Sequence, residues 1–147
     1  MKPTMLLAIV IVVFVGAIVV IDQLNRQQAT PVAESVSREE RGKILYDARC
    51  AVCHGGNLQG QPNWQRARSD GTYPAPPHDA SGHTWHHSDQ YFIEVTLYGG
   101  AAVTGVPTNA MPGFAGSLSE DDVKAILAYI KTSWPDDVRA KQESLNE

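Results

Sequence analysis

Methionine, cysteine and basic charge are all in short supply in this chain of 147 residues, and each shortage narrows what the protein can be. The two cysteines are Cys50 and Cys53, so no lipoprotein processing cysteine follows the N-terminal apolar run. No basic stripe marks a nucleic-acid surface. Residues 37–147 hold ten Lys/Arg against fourteen Asp/Glu, and the acidic excess lies in 71–147, with four basic and ten acidic side chains. A mildly acidic surface serves solubility and can also select a basic docking partner. Nothing alternates as a half-buried strand does, which leaves an all-α reading.

Charge is missing altogether from "MLLAIVIVVFVGAIVVI", Met5 to Ile21, seventeen residues without a strongly polar member. A signal-peptide core runs to roughly 7–15 residues and ends at a small-x-small site. Here no such site follows, since Ala33 has Pro31 two positions before it. At about 1.5 Å per residue the run extends about 25 Å, short but within the spanning range. We expect a single transmembrane helix over about 5–21, making residues 1–21 a membrane anchor. Lys2 and Arg26 flank it on either side, so charge alone gives no orientation. Residues 22–36 are polar, contain Pro31 and show no apolar period. They read as a flexible linker, about 20 Å end to end as a coil.

Three helices are expected in the rest. "SREERGKILYDARC" opens with a capping-box pattern, Ser37 and Glu40, and carries an apolar stripe of Ile44, Leu45 and Ala48. "SDQYFIEVTLYGG" has Ser88 as cap, Tyr91, Phe92, Val95 and Tyr98 as its buried side, and Gly99 and Gly100 as its stop. "SEDDVKAILAYIKTSWP" has Ser119 as cap and acidic residues at the positive end of the helix dipole. Val123, Ile126, Leu127 and Ile130 line one of its faces, and Pro135 marks its end. The domain thus spans 37–135, with 136–147 a polar C-terminal tail. Between the helices, 55–87 and 100–118 are long Gly/Pro-rich connections, uncommon unless functional. A small helical domain of this kind has a modest core, and a large cofactor would supply the missing apolar mass.

The chemistry-bearing motif is "CAVCH", Cys50 to His54, the C-x-x-C-H pattern of c-type haem attachment. Two thiols three positions apart can reach the two vinyl groups of one porphyrin, with the adjacent histidine held under the iron. A thioredoxin-like redox pair would sit between a strand and a helix, a context that is missing. A zinc site could combine both cysteines with two histidines of "HDASGHTWHHSD", which holds His78, His83, His86 and His87. That reading leaves His54 unexplained. Haem iron takes a sixth ligand for electron transfer or keeps an open position for gas or catalysis. Of three methionines, only Met111 in "TNAMPGF" belongs to the soluble part.

From Ser37 to Trp134 the chain resembles class I monohaem cytochromes c, through "CAVCH", the "MPGF" loop and the closing "LAYIKTSW". The resemblance implies a small helical domain wrapped around one covalent haem c. It implies Cys50 and Cys53 as thioether sites, His54 as proximal and Met111 as distal iron ligand. It also implies a crossing of the first and last helices where Gly42 meets Tyr129, which accounts for a glycine that would otherwise cost about 1 kcal/mol inside a helix. Family members place a proline carbonyl on the proximal histidine's free N–H, a role for Pro76 or Pro77. Tyr73 and Trp85 are candidate haem contacts, with Trp64, Arg66 and Arg68 beside them. The middle loop departs from the family in its length and its histidines.

The implied function is single-electron carriage between redox partner proteins of a respiratory or related chain, without catalysis of its own. The resemblance also implies a bacterial cytoplasmic membrane, with the haem domain on the periplasmic or outer side. Two alternatives stand beside it: a fixed haem subunit of a larger membrane oxidoreductase complex, and a haem-based sensor. For His78, His83, His86 and His87 the readings are loop anchors or propionate neighbours, a second transition-metal site, pH-sensitive docking, or displacement of Met111 at the iron.

Overall fold

A computed structural model describes residues 16–23 and 36–147. The chain divides into two units, Met1–Ser37 and Arg38–Glu147. In the first, residues 16–23 are helical with exposed side chains. Among the described residues no helix is long and apolar enough to cross a membrane. Residues 5–15 of the expected span and 24–35 of the expected linker lie outside the described residues.

The second unit is helical, with no strand among its residues. Its frame is α1 (Arg38–Arg49) packed on α5 (Glu120–Lys131), the largest contact between any two elements. Helix α1 carries Glu39 and Glu40 in its first turn and Arg49 in its last, as the dipole favours. Its packing face is Gly42 and Tyr46, four residues apart, rather than the expected stripe of Ile44, Leu45 and Ala48. Ile44 is 60% exposed, and Leu45 is only partly buried. The reason is the closeness of the crossing. A Cβ on Gly42 would run into the carbonyl of Ala125 and come within 3.0 Å of Tyr129 Cβ. Only glycine lets the two backbones meet there, and the Tyr46 and Tyr129 rings then lie 5.5 Å apart beside the contact. Arg41 pairs with Asp122 across the same interface.

Helix α5 starts with a complete capping box. The Asp122 N–H donates to Ser119 Oγ at 3.2 Å, and the Ser119 N–H donates to Asp122 Oδ2 at 2.9 Å. Val123, Ile126, Leu127 and Ile130 are all buried, as the 3.6-residue period requires. Helix α3 (Asp89–Tyr98) is capped by Ser88, whose Oγ accepts from the Tyr91 N–H at 3.3 Å. Its buried residues are Phe92, Ile93 and Thr96, while Tyr98, expected inside, is 62% exposed. Gly99, at φ 90°, breaks the helix, yet Gly100 does not stop the chain from coiling: a short helix α4 (Gly100–Thr104) resumes at once.

Residues read as a polar tail form helix α6 (Asp136–Glu143). It has no apolar stripe, which is why periodicity does not reveal it. One apolar residue, Val138, packs against the core, and the rest of the docking is polar. Gln142 is 1% exposed, and its Nε2 donates to the His87 carbonyl at 3.1 Å and to Asp89 Oδ1 at 2.6 Å.

Candidate cofactor site

Helix α1 hands the cysteine motif directly to the core. The Cys50 N–H donates to the Tyr46 carbonyl at 2.8 Å, and the His54 N–H to the Cys50 carbonyl at 2.9 Å, so helix α2 (Ala51–His54) continues the winding. The buried Tyr46 hydroxyl donates to the Gly55 carbonyl at 3.0 Å and fixes the exit of that turn. Cys50 and Cys53 are both free thiols. Both line, with His54, a cavity of about 850 Å³ through the middle of the domain. Burial, with Cys53 adding to it, pushes the Cys50 thiol up to about 11. At neutral pH it is therefore protonated, unlike the activated thiolates of disulfide-exchange motifs.

His54 is buried. Its Nδ1 donates to the Pro76 carbonyl at 2.8 Å, which leaves Nε2 as the unprotonated nitrogen. Burial lowers the pKa of the ring, against the raising effect of that bond. Pro77 follows directly, and a proline there keeps residue 76 extended; of the two prolines, it is Pro76 that offers its carbonyl.

Met111 lies on the same cavity, on a loop pinned to the C-terminal end of α3. The Phe114 and Ala115 N–H groups donate to the Thr96 and Leu97 carbonyls at 3.0 and 2.9 Å. These are carbonyls a helix end leaves without intrahelical partners. The Gly100 N–H donates to the Met111 carbonyl at 2.9 Å, and the Met111 N–H to Asn109 Oδ1 at 3.3 Å. A Cβ on Gly99 would come 3.0 Å from the Gly113 nitrogen and 3.2 Å from the Met111 oxygen, so the "GG" that ends α3 is also what seats the methionine loop.

The walls between these groups are apolar, with Phe92, Ile126 and Ile130 on the lining. Beside them Thr96 Oγ1 is buried on the lining and has no protein partner. A cavity near the upper end of the roughly 300–1,000 Å³ range of cofactor sites has room for a tetrapyrrole. Two thiols one turn apart, a free imidazole nitrogen and a thioether sulfur are a donor set that fits covalently attached haem.

Tyr73, Trp64 and Arg68 also line the cavity. Trp85 lies outside the lining. Its ring stacks on His86 at 3.7 Å, its indole N–H donates to the Ala80 carbonyl at 3.3 Å, and Lys141 Nζ sits 4.8 Å from its centre. Of the four clustered histidines, His78, His83 and His87 line the cavity and His86 does not. His83 stacks on Trp64 at 5.5 Å and His87 on Tyr91 at 4.2 Å. Among the described residues no group of three or more His, Cys, Asp or Glu is placed to hold a metal ion, so the zinc and second-metal readings find no ligand cluster there. His78 is the residue whose position sequence reasoning does not anticipate. It is 7% exposed, and its ring stacks on His54 with centroids 4.1 Å apart. The available signal was its place two residues after Pro76.

A family model described as "Cytochrome c" matches residues 39–134. Among curated proteins, the chain is similar to the "Cbb3-type cytochrome c oxidase subunit CcoP" of Azospirillum brasilense, 27% identical over 117 residues. That match covers 73% of this chain and 36% of the relative, so the chain spans about a third of the relative's length. No solved structure matches the chain.

Proposed function

The chain belongs to the cytochrome c family, and from that membership we propose that it carries single electrons between redox partners at a membrane surface. The cofactor of the family is haem c, covalently attached, and it supplies a one-electron couple. Cys50 and Cys53 would hold it through thioethers, and His54 Nε2 and Met111 Sδ would ligate its iron. The observation that carries this reading is the meeting of these four side chains on one mainly apolar cavity, with His54 Nδ1 engaged by Pro76. The Pro76 bond fixes the His54 tautomer and raises its basicity as a ligand. Held by a histidine and a methionine, a haem iron would keep no vacant position and would favour its reduced state.

Val52, between the two cysteines, is 85% exposed on the cavity's rim, and Val106 is 49% exposed on the same lining. Such apolar residues at the mouth suit brief docking through a small interface. We further propose that residues 5–21 anchor the protein with the haem domain on the periplasmic or outer side. The apolar run supports the anchor, and the covalent haem supports the side.

The test is the spectrum and mass of the purified protein. One added haem per chain and a low-spin His/Met signature that carbon monoxide does not rapidly displace are expected. Chain made with competent haem-attachment machinery and holding no haem would overturn the proposal. A second reading, a fixed haem subunit of a larger oxidoreductase, is favoured by the oxidase-subunit name of the relative. A stoichiometric partner retained through mild detergent extraction would establish it over the mobile carrier. Rapid and complete carbon monoxide binding would instead support the sensor.

A further inference from the structure

His54 is gripped twice by one short segment. The first grip is the Pro76 carbonyl on Nδ1, at 2.8 Å. The second comes two residues later: the His78 ring lies against the face of His54, centroids 4.1 Å apart and planes inclined by 26°. A carbonyl on one ring nitrogen fixes the tautomer and the direction of that N–H, but restrains the tilt of the imidazole plane about it only loosely. A flat neighbour against its face removes that freedom.

The neighbour is itself immobilised on every side. His78 Nδ1 is hydrogen-bonded to Thr84 Oγ1 at 2.7 Å. Tyr46 and Phe92 meet its ring edge-on, each at 6.0 Å. Its backbone N–H donates to the Leu58 carbonyl at 2.8 Å, and its own carbonyl accepts the Trp134 indole N–H at 2.8 Å. Leu58 is held at φ 64°, a left-handed conformation strained for any residue but glycine, which survives where the surroundings over-determine it. An ordinary core position is filled by an aliphatic side chain; a buried histidine with this many fixed contacts, flat against the His54 ring, answers a more specific demand.

We propose that His78 is a positioning residue for the axial histidine: clamped by Thr84, its ring sets the rotational orientation of the His54 imidazole plane at the iron. This rests on the assignment of His54 as an axial ligand and deepens it. It also gives the histidine-rich loop a purpose, because Thr84 belongs to the turn Thr84–His86, and that loop is the part of the chain that departs from the simplest family pattern.

The experiment compares haem-loaded wild type with His78→Leu, His78→Phe and Thr84→Val, reading the ferric electron paramagnetic resonance spectrum, the reduction potential and the melting temperature. The wild-type spectrum tests the ligand assignment first, since a chain without low-spin His/Met iron fails there whatever the variants do. With that established, His78→Leu is expected to shift the ferric g-values and the potential while both axial ligands remain. His78→Phe keeps a flat face and returns the g-values toward wild type. Thr84→Val, which leaves the core ring in place, gives a smaller shift in the same direction as His78→Leu. A lowered melting temperature with wild-type g-values in His78→Leu and Thr84→Val would show that His78 only fills space. Failure of His78→Phe to move the g-values back relative to His78→Leu would equally overturn the proposal. Should His78→Leu not fold, Thr84→Val alone decides, by shifting the g-values or leaving them unchanged.

Discussion

Gly42 and Met111 are single residues on which two different layers of the protein depend. At Gly42 the demand is steric, since any Cβ meets the Ala125 carbonyl and approaches Tyr129. Both obstacles belong to a helix that cannot yield locally, so Gly42→Ala should cost about 3 kcal/mol, the upper end of ordinary overpacking. Urea denaturation of the haem-loaded protein measures it, and a loss well under 1 kcal/mol would mean the helices can slide apart freely. At Met111 the proposed demand is chemical. Met111→Ala should leave the loop seated, because its anchoring bonds run through the backbone, while opening the iron to carbon monoxide. A variant that binds carbon monoxide no better than wild type would remove Met111 from the coordination sphere. The Gly42 crossing and the place of Met111 on the cavity were legible in the sequence for the same reason. A glycine inside a helix and a lone methionine on a Gly/Pro loop are each out of place without a specific partner. His78 was not legible, because its role depends on a stacking partner 24 positions earlier that only folding brings near.

Among the elements, α6 shows where pattern reading stops. Helices α3 and α5 announce themselves through Ser caps and apolar faces, whereas α6 is held largely by a buried glutamine, with hydrogen bonds to residues 87 and 89, and by Lys141 over the Trp85 ring. Polar docking leaves no periodic trace. Gln142→Ala should cost about 1–3 kcal/mol, the range for leaving buried polar groups without partners, measurable as a lower denaturation midpoint. Asp89 is the acceptor in this arrangement, taking bonds from Gln142 and from Lys131 Nζ at 2.7 Å. Burial alone would raise its pKa, but the Lys131 and Gln142 bonds outweigh that and hold it below the usual carboxylate value. A carboxylate depressed in the folded state binds protons more readily when unfolded. Its contribution is therefore complete above the unfolded pKa and is lost as pH falls below about 4 through the folded value. Asp89→Asn should be less stable than wild type at pH 7, with the gap closing on acidification through that window. A gap that stays constant would show that the charge on Asp89 does not contribute.

For the whole molecule, the division into Met1–Ser37 and Arg38–Glu147 carries its own consequence. Every group proposed to hold the cofactor, and each contact described above that positions it, lies in the second unit. The first unit contributes an apolar run whose span reading rests on sequence alone. If that run is an anchor, its effect on electron transfer comes through local concentration: a tethered domain meets membrane-bound partners at an effective concentration set by its linker. Removing residues 1–36 should then leave the haem spectrum and reduction potential unchanged while releasing the protein from the membrane fraction. Reduction by a membrane-bound donor should also become dependent on protein concentration, where the anchored form shows no such dependence. Spectral change on truncation would mean that the first unit helps build the site. A truncated protein that still sediments with membranes would point to a tight protein partner instead of a lipid anchor, and so to the fixed-subunit reading, because a domain with a mildly acidic surface has no electrostatic reason to stay on an anionic bilayer.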